Sequence, residues 1–335
     1  MSYVPILKYK ERVDMSAYIK HDMNDKDITP MIEVFQSEKF PLDKINDDKR
    51  FYLGILFESS MKFYDAVNHF IAAKELFPNM IPVINSDYNF DSKKETFRAF
   101  QKLTRSFENI AFKFNNIKSF YMHQNLESIM LMYDKIAESD IFLDIDYAYK
   151  YSATSIMDYM QQSIKVIRDS VDEGIDKFIV TGSIIRVTSS YYSTIDENGG
   201  RPAIIQNNLL DAFSMMRAKY PYLKYADYTI DEKHVFTSDE STATSFYPMV
   251  KYTIPSGEIA VYKSGTLRGF DDYKDIAAMI SSESYFNTAH CAGCRYVTSI
   301  VNGTEGGKGT GSPTTWKLNS MIHHIATMGE LLSNP

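Results

Sequence analysis

Short apolar runs that end on a charge alternate along the chain with longer polar stretches of helical period. VPILKYK (Val4 to Lys10) leads through a polar helical spacer to ITPMIEVF (Ile28 to Phe35), which carries Glu33 near its end. The same pattern returns in FYLGILFE (Phe51 to Glu58), MIPVINSD (Met80 to Asp87), IAFKFN (Ile110 to Asn115), IFLDIDYA (Ile141 to Ala148), KFIVTGSI (Lys177 to Ile184) and LKYADYTI (Leu223 to Ile230). Runs so short and so apolar fit parallel strands buried on both faces. The stretches between them are periodic: Phe63, Val67, Phe70 and Ile71 share one helical face, another helix runs through Phe97 and Leu103, and SIMDYMQQSIKVIRDSVDEG ends on Gly174 as a capping glycine would end it. Eight strand-then-helix units over roughly 230 residues predict an α/β fold, a (β/α)8 TIM-like barrel. No strand leads into a Gly-x-Gly-x-x-Gly turn, which argues against a Rossmann half.

After the eighth run the pattern changes. VKYTI and EIAVYK flank Pro255-Ser256-Gly257 and predict a β-hairpin. A helix over DDYKDIAAMISSESYF follows, then a Cys-x-x-Cys pair, the glycine-rich GTEGGKGTGS, and a last helix from about Thr315 to Leu332. The expected organisation is a barrel over 1–245 with a C-terminal hairpin and helical appendage over 246–335 packed on it. The longest stretch without predicted structure, Ser189 to Pro202, reads as a lid or a disordered excursion.

Composition narrows the class. The 335 residues are 44% hydrophobic, enough to bury a full core, and the net charge of -7 is interspersed, so no global field draws in a nucleic-acid backbone. Two cysteines, Cys291 and Cys294, are too few and too close to staple a secreted fold, and no leader precedes the first strand, so a reduced cytoplasmic compartment is expected. No apolar run reaches the ~20 residues that span a bilayer. The 24 Tyr and 21 Phe exceed what one core needs and point to contact surface for a protein partner, an effector or a second subunit.

In a parallel barrel, strand-end side chains converge on one mouth. With Lys8, Glu33, Asn85, Lys113, Asp144 and Asp227 pointing inward, that mouth sets two ammonium groups among three carboxylates. Such a mixture either binds phosphate through Lys8 and Lys113 while Glu33, Asp144 and Asp227 do acid-base work, or forms a self-satisfied ion-pair plug. Asp144 and Asp146 also have the oxygens Mg2+ favours, although an Asp ending a strand serves equally as a loop anchor. His290, Cys291 and Cys294, with His323 and His324 downstream, are the ligand types of a zinc site, but the tight knuckle usual for a structural zinc pair is missing and two small buried cysteines explain the pair as well, so no metal is assigned. His323 and His324 lie in MIHHIATMGELL, where Met321, Ile325 and Met328 form an apolar stripe; one histidine should face the core or barrel, and both are candidate site residues. Trp316 reads as a core anchor. The Asn302 to Ser312 run fails the Walker pattern, because Gly309 follows its lysine, and reads as a flexible loop. Nothing here identifies a cofactor.

The opening VPILKYK and ITPMIEV, the ADYT of the eighth run, VKYT, and the closing GSPTTW followed by His-His resemble the beta protein family of phages, prophages and other mobile elements. The resemblance runs in patches from residue 4 to about residue 326. It implies a barrel-like protein encoded where phages and bacteria compete, in defence or counter-defence, and it carries over no catalytic role. Lys8, Glu33, Asp227, Tyr228, Lys251, Trp316, His323 and His324 match the pattern, which adds Lys251 to the candidate ligand-binding residues Lys8, Lys113, Asn85 and His323. Glu33, Asp144, Asp227 and His324 remain the candidate catalytic set. Two functions are carried forward: a barrel acting as a phosphoester-directed hydrolase on a phosphorylated small molecule or nucleic-acid end, and a non-catalytic sensor that recognises a phage or host component and controls an effector.

Overall fold

The computed structural model describes residues 3–9, 14, 16–17, 28–35, 49–56, 62–88, 90, 93–115, 133, 136–170, 174–186, 191–233, 247–267, 269–304 and 309–333. Seven strands, β1 (Tyr3–Lys8), β2 (Met31–Phe35), β3 (Phe51–Leu56), β4 (Met80–Asn85), β5 (Ala111–Asn115), β6 (Asp140–Asp144) and β7 (Phe178–Thr181), pair in chain order. An eighth, β9 (Lys224–Asp227), pairs in parallel with both β7 and β1 and closes the barrel. All eight runs read from the sequence are these strands. The fold is the expected α/β barrel.

Alternation divides each strand between two cores. Val4, Ile6, Met31, Tyr52, Ile81, Val83, Ala111, Phe142, Ile179 and Ala226 fill the barrel, while the neighbouring positions face an outer shell of helices. That shell includes α1 (Phe63–Lys74), α2 (Lys93–Ser106), α3 (Ala153–Asp169) and α4 (Asn208–Arg217). Ser152 caps α3 by accepting from the Ser155 amide. The helix ends at Ser170, so Gly174 is not its cap. The spacer after β1 lies largely outside the described residues.

A second sheet is antiparallel, in the order β10 (Met249–Thr253), β11 (Ile259–Lys263), β8 (Ala203–Ile205). The first two strands are the predicted hairpin, and Gly257 in its turn has φ +87°, a conformation glycine takes without strain. The third was not foreseen: three residues with an exposed central Ile204 give no strand signal. Residues 191–202 lead into it as a tied turn, not a lid, with the Ile195 amide donating to the Lys263 carbonyl at 2.8 Å and the Lys263 ammonium to the Tyr192 carbonyl at 2.6 Å; Ser189 lies outside the described residues. Helices α5 (Asp272–Ser282), α6 (Ala292–Asn302) and α7 (Pro313–Ser333) complete the C-terminal part. Trp316 is buried there, stacked on Tyr273 at 5.3 Å and donating to the Thr310 carbonyl, which makes it the expected anchor. Lys308 of the glycine-rich run falls outside the described residues. Among those described, no helix is long and apolar enough to cross a membrane.

Candidate functional site

The carboxyl ends of the strands put charge where the inner core stops. Lys8, Glu33, Lys113, Asp144 and Thr181 occupy the inward positions that follow the apolar layers of β1, β2, β5, β6 and β7, and all are buried. Gly54 of β3 makes room for one of them: a Cβ there would stand 3.4 Å from the Glu33 Cγ and closer still to Met31. At the centre, the Lys113 ammonium reaches Glu33 Oε1 at 2.5 Å, the Tyr228 hydroxyl at 2.6 Å and Asp144 Oδ2 at 3.1 Å. Tyr228 in turn donates to Asp144 at 3.0 Å. Lys233, from the loop after β9, reaches Asp144 at 3.1 Å, Asn115 Oδ1 at 3.0 Å, and Asp146. Asn115 donates to Asn85 at 2.7 Å, so Asn85 joins the mouth at its edge. Burial raises the Asp144 carboxyl, but Lys233 and Lys113 outweigh it and hold the group down to about 2.

A second cluster borders the first. Asp231 accepts from Lys317 of α7 at 2.7 Å and faces Lys8 at 3.4 Å, and these lysines keep it well below the carboxylate range despite its burial. Asp14 accepts the Lys8 amide, and burial lifts its carboxyl to about 6. Lys251 of β10 donates to the Arg186 and Ile230 carbonyls at 3.0 Å each, and burial lowers it to about 8. The mouth is therefore divided. Among the described residues, Glu33, Asp144 and Asp146 stand around Lys113 and Lys233 on one side, whereas Lys8, Lys251 and Lys317 gather around Asp14 and Asp231, with Glu232 near Lys251, on the other.

Two polar atoms stand apart from this pairing. Glu33 Oε2 and Thr181 Oγ1 are fully buried and have no hydrogen-bond partner among the described residues. Two strand ends are also strained. Asp146 and Thr229 adopt φ of 58° and 56°, each two residues past an aspartate, Asp144 or Asp227, that accepts its amide. A β-branched residue such as Thr229 rarely takes this left-handed conformation.

Asp227 does not enter the mouth, contrary to expectation. On β9, Ala226 and Tyr228 face inward, so Tyr225 and Asp227 face the outer shell. There Asp227 accepts from Tyr3 at 2.7 Å and from His324 Nε2 at 3.1 Å, and His324 Nδ1 meets the Thr253 hydroxyl at 2.8 Å. These two candidate catalytic residues thus meet each other, away from Glu33 and Asp144. His323, one position back, faces the cysteines: its Nδ1 lies 3.3 Å from Cys294 Sγ and 3.6 Å from Cys291 Sγ. A hydrogen bond from Cys291 pulls the Cys294 thiol down to about 4, and the same bond, with burial, pushes Cys291 up. The sequence reading missed Tyr228's bridging role and, as mouth residues, Asp14, Asp231, Lys233 and Lys317. The Asp231-Glu232-Lys233 run directly after the eighth strand was the available signal.

The fold and its mouth define a closed parallel (β/α)8 barrel with a charged, largely self-paired carboxyl end and a C-terminal hairpin-and-helix region braced against it. The family model described as Beta protein matches residues 3–330, and the chain belongs to that family. No curated protein matches it.

Proposed function

We propose that the barrel mouth receives a phosphate-bearing small molecule or nucleic-acid end, and that this recognition serves the contest between phages and bacteria. The observation that carries the reading is the charged mouth with two buried polar groups that have no partner among the described residues. Burying the Glu33 oxygen and the Thr181 hydroxyl with no partner among the described residues costs about 1–3 kcal/mol each, a cost that a polar ligand group hydrogen-bonding either one would reduce. The three ammonium groups of Lys8, Lys251 and Lys317, gathered on one side, support an anion there. A donor group of the ligand would then meet Glu33, whose second oxygen already holds Lys113. Asp227 and His324 serve in this reading as a brace behind the wall.

Chemistry at the phosphoester, if the protein performs it, falls to Glu33 and Asp144. The sensor reading has its own support, because Lys113 and Asp144 are already neutralised by neighbours, as suits a mouth that recognises without turning over. Native mass spectrometry of protein from infected and uninfected cells tests the site. A phosphate-bearing adduct lost in Lys8→Ala is expected; bare protein in both samples sinks the proposal. Turnover of that adduct by wild type but not by Glu33→Gln separates enzyme from sensor, and plating efficiency of phage on cells with either variant tests the biological role.

A further inference from the structure

Away from the barrel mouth, the N-terminal end of α6 and the middle of α7 bring together four side chains with metal-binding chemistry, against β10. Cys291 is the N-cap of α6, and Cys294 lies one turn on, with its amide donating to Cys291 Sγ at 3.4 Å. His323 comes from α7. Its approach depends on Gly293, where a Cβ would strike the Asn319 carbonyl oxygen and stand 3.2 Å from His323 Cβ. His290 lies at the edge of the group, and its ring nitrogen, Cys291 Sγ and a His323 nitrogen all fall within 4.8 Å of one another.

The distances are those of a coordination shell. Zn–S of about 2.3 Å and Zn–N of about 2.0–2.1 Å in a tetrahedron give S···S edges of about 3.8 Å and S···N edges of about 3.6 Å. Here the two sulfurs are 3.5 Å apart, and His323 Nδ1 is 3.3 and 3.6 Å from them. The imidazole is oriented for the task. Its Nε2 lies 2.7 Å from the Thr253 carbonyl, which accepts a proton but cannot donate one, so Nε2 carries the hydrogen and Nδ1 presents its lone pair to the sulfurs. Tyr252 stacks on the ring at 3.8 Å, and its hydroxyl lies 3.4 Å from Cys294 Sγ. A cleft of about 360 Å³, lined by Tyr252, Tyr285, Asn287, His290, His323 and Glu330, gives a path from solvent.

We propose that Cys291, Cys294 and His323, with His290 as the fourth ligand, bind one zinc ion that locks α6 and α7 onto the hairpin. The sulfur-and-imidazole donor set suits zinc over hard cations such as magnesium. His290 is half-buried, its Nε2 3.2 Å from the Thr327 hydroxyl and its Nδ1 3.4 Å from Glu330, so to close the shell from the cleft side it would exchange one of these contacts for the metal.

The test uses the full chain, purified without an affinity-tag histidine run and kept reduced. Elemental analysis should give about one zinc per chain. Cobalt(II) exchanged into the site should give tetrahedral d–d bands and sulfur-to-cobalt charge-transfer absorption. Cys294→Ser and His323→Ala should lose the charge-transfer band or its tetrahedral pattern, and His290→Ala should weaken binding by more than the ~10-fold that loss of an outer partner costs. Absence of sulfur-to-cobalt absorption in reduced wild-type protein overturns the proposal without reference to any variant. So does a cobalt spectrum unchanged in Cys294→Ser and His323→Ala.

Discussion

At the scale of single residues, the barrel mouth is governed by Lys113. Its ammonium is the shared counter-charge for Glu33 and Asp144, and all three are at most 1% exposed. Replacing it by methionine keeps the bulk but leaves Glu33 buried without its counter-charge and Asp144 with Lys233 alone, which is expected to cost about 3–5 kcal/mol. Urea denaturation measures this, and a loss of only ~0.5 kcal/mol, the scale of an ordinary surface change, would refute the pairing. Glu33→Gln added to Lys113→Met should restore part of the loss. Asp144 sets the acid side: its folded pKa of about 2 lies below the unfolded value, so its stabilisation is present above about pH 4 and is lost as pH falls through about 2. That window is worth about 2 kcal/mol, and an Asp144→Asn protein should lack it in acid titrations. Lys251 acts at the other end of the scale. Held at about 8 against 10.5 by burial, among Asp231, Lys317, Glu232 and Lys8, it makes the unfolded chain bind more protons between those values. Wild type should therefore gain about 2 kcal/mol relative to Lys251→Met between pH 7 and 9.5, and parallel pH profiles for the two proteins would show the lysine is not so held. Which residues reach the mouth was only half legible beforehand. Both faces of a parallel barrel strand are buried, so the charge of Asp227 does not tell which way it points. Only alternation against Tyr225 and Tyr228, once the inner face is known, sends it outward.

Elements were easier to read than side chains because a buried parallel strand is a short, uninterrupted apolar run, and eight of these stood clear of the amphipathic stretches between them. The misses share a cause. The edge strand β8 has three residues and an exposed centre, and residues 191–202 owe their order to tertiary bonds with β11, which local sequence does not encode. The packing of α6 on α7 is likewise a tertiary matter, although it leaves a trace in the glycine between the two cysteines. Gly293→Ala should force the helices apart at Asn319 and cost about 1–3 kcal/mol, the usual price of overpacking. Thermal unfolding reads the loss. Because Gly293 also sets the distance from His323 to the cysteines, the same variant should bind cobalt more weakly than Ala292→Ser, which alters the neighbouring position. Equal affinity in the two would mean that helix spacing does not control the cysteine and histidine cluster.

For the whole molecule, the question is whether the barrel over 1–245 stands without the hairpin and helices that follow. Besides the pairing of β8 with β11, ties at the barrel wall and mouth cross that boundary. His324 of α7 holds Asp227 of β9 while Thr253 of β10 holds His324; Lys317 of α7 pairs with Asp231; and Lys251 of β10 donates to the carbonyls of Arg186 and Ile230. Cutting at 245 would take His324 from Asp227 in the outer wall and leave it with Tyr3, Tyr225 and the Thr229 amide. It would also remove β10 and β11, the partners that give β8 its sheet. A barrel whose wall and mouth both use groups from the C-terminal part is not expected to reach a native state alone. The 1–245 fragment should show no cooperative urea transition and should bind a dye specific for exposed apolar surface. The intact chain should unfold in one transition reported alike by backbone and aromatic signals. A fragment with a sharp transition of its own, or two separated transitions in the full chain, would divide the protein at that boundary and reduce His324 to a local contact. Between these outcomes His324→Ala is the finer probe. It removes one tie, leaves Asp227 buried at a cost of about 3–5 kcal/mol, and, if the two parts fold as one, should raise amide exchange in β9 and β10 together.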